Sequence, residues 1–240
     1  MSFIITVYVR EGIVMASDSR LTLNTETQDG NNRKQNIAVG MSDSNYKTFL
    51  APNNVGISTC GAADIKGVPI AGFIESFINE QLQTTAIPIN LIPDKILAFF
   101  KQFTPPPEAQ FHVAGYLKEN SKDEQHVWLV DVARNHKQKV NPNDKQGAQW
   151  GGEGDIMARL IQPVAVLDEK GSIKDKMPLF PIPFAFFTLQ DAIDFSIFSV
   201  QSTINAIRFE PRPKTVGGSI DVLVIKPTEA LWVQRKELHA

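Results

Sequence analysis

A serine at position 2 puts an alcohol next to the start of the chain, and removal of Met1 would give the same residue a free α-amine. Those two groups suffice for acyl transfer: the oxygen attacks an acyl carbon while the amine takes its proton. The reference α-amino pKa of about 7.7–8.0 already lies near neutrality, so modest tuning makes the amine a general base. A nearby lysine ammonium would lower that pKa, because two adjacent cations resist holding the second proton. The lysine then needs an anionic partner to stay charged while partly buried. Other chemistries find less in the chain. Its single cysteine, Cys60, excludes an internal disulfide framework and a multi-cysteine zinc site, and reads as a small packed residue. His112, His126, His136 and His239 lack paired-ligand spacing, there is no GxSxG, and Gly151, Gly152 and Gly154 lack a P-loop lysine.

The elements that must position Ser2 begin immediately after it. Residues 3–9 and 13–20 are apolar runs joined by Arg10-Glu11-Gly12, a hairpin pattern. Residues 22–45 read as a long polar loop, with turn signals at Asp29-Gly30-Asn31-Asn32 and room for a short strand at 36–39. A second hairpin is predicted over 47–51 and 55–59, around Pro52-Asn53-Asn54. The period then becomes helical: Ile70, Phe73, Ile74, Phe77 and Ile78 share one face, and a second helix from Asp94 buries Ile96, Phe99, Phe100 and Phe103. Strands are expected over 111–117 and 126–132, with a charged loop between them, and a short helix over 155–161. Residues 162–187 carry no assignable period. Thr188 and Asp191 form a capping-box pattern for a helix with Ile193, Ile197, Val200, Ile204 and Ile207 on its face. Strands at 219–225 and 230–234 close the chain.

With 240 residues, 42% of them hydrophobic, one large domain over residues 1–240 is the expectation. A formal charge of −2 gives no bulk attraction to nucleic acid or anionic membranes. No apolar run approaches the roughly 18 residues that span a bilayer, and the start lacks a basic n-region, so a cytoplasmic protein is expected. Sheets and helices in this order predict an α+β fold.

Three motifs carry a resemblance across the chain. Ala16-Ser17-Asp18-Ser19-Arg20 follows the opening hairpin. Tyr46-Lys47-Thr48-Phe49-Leu50 is followed by Thr59-Cys60-Gly61-Ala62-Ala63-Asp64, and Gly217-Gly218-Ser219-Ile220-Asp221-Val222 lies near the end. Together they resemble proteasome β subunits and bacterial proteasome-related proteins, which are N-terminal-nucleophile (Ntn) hydrolases. The resemblance implies a four-layer αββα sandwich, with two antiparallel sheets flanked by helix pairs.

It also implies roles. Ser2 is then the nucleophile, Lys47 the activating lysine and Asp18 its carboxylate partner. The Cys60 N–H, just before a helix starting at Gly61, becomes the oxyanion donor. Ser58 and Ala62 line the pocket for the side chain preceding the scissile bond, and Ser19 and Thr22 lie near the nucleophile and substrate backbone. No metal or organic cofactor is required. The chain departs from the pattern in having serine for threonine, and in lacking the supporting serine near Gly151-Gly152-Glu153-Gly154. The usual acid and serine before Gly217 are also missing, with Glu210 a candidate replacement acid. Lys34 stands at the ungapped distance from Ser2, but Lys47 has the matching strand. The implied activity is amide or peptide hydrolysis through an acyl-enzyme. The alternatives are a catalytically silent ring subunit, scaffold or gate, and a small-molecule amidase. Implied partners are a peptide or amide substrate, other copies in a ring or larger assembly, and an unfoldase.

Overall fold

The computed structural model describes residues 2–28, 34–83, 87–119 and 122–237. The predicted turn at Asp29-Gly30-Asn31-Asn32 and His239 lie outside these residues. The first hairpin is β1 (Phe3–Val9) and β2 (Gly12–Ser17), in register from Ile4 opposite Ser17 to Val9 opposite Gly12. Every residue of both strands is buried, which is why their sequences read as near-continuous apolar runs rather than alternation. Where a loop is expected, β3 (Leu21–Gln28) and β4 (Lys34–Ser42) instead form a hairpin. Among the described residues its strands pair only with each other and join neither larger sheet. The second expected hairpin is β5 (Thr48–Ala51) and β6 (Val55–Gly61). It turns through Asn53 and Asn54, both at positive φ (61° and 56°), a conformation asparagine tolerates.

A small hairpin, β7 (Asp64–Ile65) and β8 (Val68–Pro69), then leads into α1 (Ile70–Gln81) and α2 (Ile92–Phe100). The remaining elements are β9 (Ala109–Glu119), β10 (Lys122–Asp131), β11 (His136–Lys139), β12 (Gly147–Gly152), α3 (Asp155–Ile161), β13 (Ala165–Leu167), β14 (Ile173–Lys176), α4 (Leu189–Phe209), β15 (Asp221–Ile225) and β16 (Ala230–Gln234). Two five-stranded antiparallel sheets result, ordered β12-β1-β2-β15-β16 and β11-β10-β9-β6-β5.

Burial follows strand alternation. Phe3, Ile5, Val7 and Val9 of β1, with Val14 and Ala16 of β2, pack with Ile156 and Met157 of α3 and with Ile193, Val200 and Ile207 of α4. Tyr8, Ile13 and Met15 point the other way, with Leu223 and Ile225, onto Ala114 and Val127 of the second sheet. That sheet's far face takes Ile74, Phe77, Ile96 and Phe100 from α1 and α2. The sheets approach closely enough that a Cβ on Gly56 would lie 2.3 Å from Met15 Sδ. Helix α4 begins with the predicted capping box. Its small polar residues Ser196, Ser199 and Thr203 satisfy their hydroxyls on carbonyls four residues back, so they can sit buried. Among the described residues no helix is long and apolar enough to cross a membrane.

Candidate active site

Asp18 directly follows β2 and is fully buried. One carboxylate oxygen, Oδ1, accepts from Phe3 N–H at 3.0 Å and from Lys47 Nζ at 2.7 Å. The other, Oδ2, accepts from Arg20 N–H at 3.1 Å and Gly217 N–H at 3.0 Å. A dry carboxylate is tolerable only when its lone pairs are matched in this way. The four bonds draw the start of β1, the end of β2, the approach to β15 and Lys47 onto one side chain.

Lys47 lies just before β5 and is 2% exposed. Burial lowers the proton affinity of its ammonium below that of an ordinary lysine, against the opposing pull of Asp18. Ser2 is held between two elements. Its carbonyl accepts from Glu153 N–H at 2.8 Å, and the next amide, Phe3 N–H, shares Asp18 Oδ1 with the Lys47 ammonium. The residues read from sequence as nucleophile, lysine and acid therefore converge. Lys34 opens β4, the hairpin strand paired with β3.

Several other expectations need correction. Gly61 does not open a helix; it ends β6 at φ 96°, and helix begins only at Ile70. Along β6, Thr59 N–H donates to Lys47 O at 2.8 Å and Ala62 N–H to Glu108 O at 2.9 Å, so successive amides face β5 and β9 in turn. The register sets Cys60 opposite Gln110, which commits the Cys60 amide to β9. The Gly61 N–H faces the β5 edge, the side of Lys47, past the end of the β5 ladder. Ser58 lines no cleft: it is fully buried, its hydroxyl bonded to Thr48 Oγ1 at 2.9 Å. Ala62 packs on the apolar cluster beneath α1 and α2. Ser19 Oγ donates to Ser219 O at 2.6 Å and Thr22 Oγ1 to Lys214 O at 3.3 Å, so both brace the loop before β15. Glu210 is bound to Arg212 at 2.6 Å, with Arg159 at 3.7 Å, at the end of α4.

Glu153, whose backbone N–H holds the Ser2 carbonyl, turns its carboxylate to the loop before β15. It accepts from Thr215 Oγ1 at 2.9 Å and from Arg212 at 3.2 Å. Sequence reading passed over it because its neighbours are glycines, and the only signal was its place directly after the Gly151-Gly152 pair. A cleft of about 390 Å³ opens beside this corner, lined by Cys60, Gly61, Gln110, Asp131, Arg134 and Gly152. Burial pushes the Cys60 thiol up to about 12, so it stays protonated and is no rival nucleophile.

Strand β12, unforeseen in the sequence, makes this corner. Its Gly151 and Gly152 are required by crowding: a Cβ on Gly151 would lie 2.8 Å from Cys60 Sγ, and one on Gly152 only 1.8 Å from the Ser2 carbonyl oxygen. Gly152 also sits at φ 85°. Gly152→Ala is expected to cost roughly 1–3 kcal/mol in backbone strain and to displace Ser2. Chemical denaturation would measure it, and a midpoint equal to wild type would refute the crowding.

His112 lies between the sheets, fully buried, with Nδ1 3.0 Å from Thr6 Oγ1. Burial pushes it down from the ordinary 6.5 to about 3, so the folded protein holds it neutral. Below pH 6.5 the unfolded chain binds the proton and the folded one does not, so stability falls with pH from there towards 3. The expected loss is about 2 kcal/mol by pH 5. Replacing both partners, as Thr6→Val with His112→Leu, should remove that acid sensitivity without leaving a stranded hydroxyl. An unchanged dependence of the unfolding midpoint on pH would contradict the assignment.

No family model matches the chain, and no curated protein matches it. Two of the solved structures similar to this chain illustrate the likeness. Anbu from Hyphomicrobium sp. strain MC1 is 12% identical with a TM-score of 0.61, covering 98% of this chain and 88% of that one. The Anbu (Gly-1) mutant from the same strain is 14% identical with a TM-score of 0.60, covering 97% and 87%. Anbu is a bacterial proteasome-like protein of Ntn-hydrolase fold, and at these identities the likeness is one of fold.

Proposed function

We propose that this chain is an Ntn-type amide hydrolase built as one domain over residues 1–240, a four-layer αββα sandwich of the proteasome-like kind. The observation that carries the reading is the single Asp18 oxygen that holds both the Lys47 ammonium and the amide following Ser2. Loss of Met1 exposes the Ser2 α-amine. The amine takes the Oγ proton as Oγ bonds to the acyl carbon of the substrate, and the Gly61 N–H donates to the oxygen that becomes negative. Collapse expels the leaving amine, which takes that proton, and leaves a Ser2 ester. The α-amine then deprotonates a water as its oxygen bonds to the ester carbon; the acyl–Oγ bond breaks, Oγ takes that proton back, and the acid leaves. Lys47 keeps the amine's pKa low, and Asp18 keeps Lys47 charged where it is buried.

The exposed Phe180, Phe186 and Phe209 offer apolar surface that supports self-association. Intact mass before and after exposure to a β-lactone tests the reading. The expected result is a chain lacking Met1 that gains one acyl group, mapped to Ser2. A chain that retains Met1 has an amide in place of the base, and would favour a silent scaffold on the same fold.

A further inference from the structure

The segment after β16 brings a second cation towards Asp18 and Lys47. The Lys236 side chain is 5% exposed and its ammonium is ion-paired with Asp221. Its own backbone N–H donates to the other oxygen of that carboxylate at 2.8 Å. Asp221 is fully buried and opens β15 opposite Ser17, the residue before Asp18. The Lys236 ammonium also lies 4.1 Å from the ring centroid of Tyr46, the residue before Lys47. Arg235 covers the same ring at 5.2 Å and that of Trp232 at 4.8 Å.

The charged groups acting on Lys236 are therefore Asp221, Asp18, Lys47 and its neighbour Arg235. Those acting on Lys47 are Asp18 and Lys236, the nearby Cys60 thiol being held protonated. A buried ion pair seldom improves on well-packed apolar residues for stability alone, and a methionine could fill the space of the lysine stem. What an apolar residue could not supply is positive charge beside Lys47 and a cation gripping the Tyr46 ring.

We propose that Lys236 is a positioning residue for the Ser2 centre: clamped on Asp221 and Tyr46, it fixes the Tyr46-Lys47 segment and adds a second buried positive charge beside Lys47. Its effect on catalysis rests on the Ser2 reading, whereas the clamp itself does not. Removing this charge raises proton affinity at Lys47 and at the α-amine, and acylation requires the amine in its neutral form.

Two measurements on wild type, Lys236→Met and Lys236→Arg decide it. One is the pH profile of Ser2 acylation by a β-lactone. The other is titration of the Lys47 side-chain nitrogen by ¹⁵N NMR, assigned by its loss in Lys47→Met. Lys236→Met should move the acid limb and the Lys47 midpoint upward by about half to one pH unit, and Lys236→Arg should restore both. Asp221→Asn with Lys236→Met supplies the same test without a stranded carboxylate, should the single variant fail to fold. An unmoved Lys47 midpoint overturns the proposal, as does acylation that falls equally at all pH values. If wild type takes no label, the Ser2 reading fails, and the Lys47 titration alone still decides the clamp.

Discussion

Ser2→Ala should leave the fold intact and abolish acylation by a β-lactone. The Ser2 side chain is small, and among the described residues nothing hydrogen-bonds its hydroxyl, so its removal strands no partner. The main-chain bonds that seat the residue, from Glu153 N–H to its carbonyl and from Phe3 N–H to Asp18, do not involve the side chain. Stability should therefore change by no more than about 0.5 kcal/mol, as at sites without a special interaction. The α-amine, Lys47 and Asp18 all survive, so the variant isolates the oxygen. Loss of a nucleophile of this type costs at least about a thousandfold in rate. Cys60 offers no substitute, because its thiol is buried and held protonated. Ser2→Thr, which restores the alcohol, should recover labelling. Stoichiometric labelling of Ser2→Ala would move the nucleophile elsewhere and end the Ntn reading.

Parts of this site were legible in the sequence for a definite reason. β1 and β2 are covered on both faces and so announce themselves as apolar runs, which makes the polar Asp18 at their end conspicuous. Lys47 stands out in the same way, as a charge next to the buried strand β5. The Thr188–Asp191 box marked α4 because capping is a local interaction between residues three apart. What stayed hidden depends on partners distant in sequence. β12 is rich in glycine and poor in strand formers, and only the approach of Cys60 and Ser2 explains its composition. The choice between Cys60 and Gly61 as amide donor is a matter of strand register, which motif spacing does not encode. β13 and β14 are exposed along their whole lengths, so burial imposed no period on residues 162–187. Ser58, Ser19 and Thr22 carry hydroxyls suited to a pocket, but each is engaged in holding strands and loops together.

Lys47→Met should damage stability and chemistry together, and the two losses have separable causes. Methionine fills much of the lysine stem, so the packing loss is small. The damage falls on Asp18, which is fully buried and loses the ammonium bonded to it while keeping three backbone N–H donors. Breaking one side of a buried pair typically costs about 3–5 kcal/mol, and that is the expected loss in chemical denaturation. Asp18→Asn combined with Lys47→Met should be less destabilised than the sum of the single changes, because it removes the stranded charge. Acylation behaves differently. Without the ammonium the Ser2 amine holds its proton more tightly, so the rate at neutral pH should fall about 10²–10⁴-fold even where the protein is fully folded. The double variant should therefore regain stability without regaining rate. Lys47→Arg should rescue neither, since the planar guanidinium is larger than the 2%-exposed space that holds one ammonium at 2.7 Å from Asp18. A folded Lys47→Met that acylates at the wild-type rate would leave the buried pair a purely structural element, and the amine would need some other source of tuning.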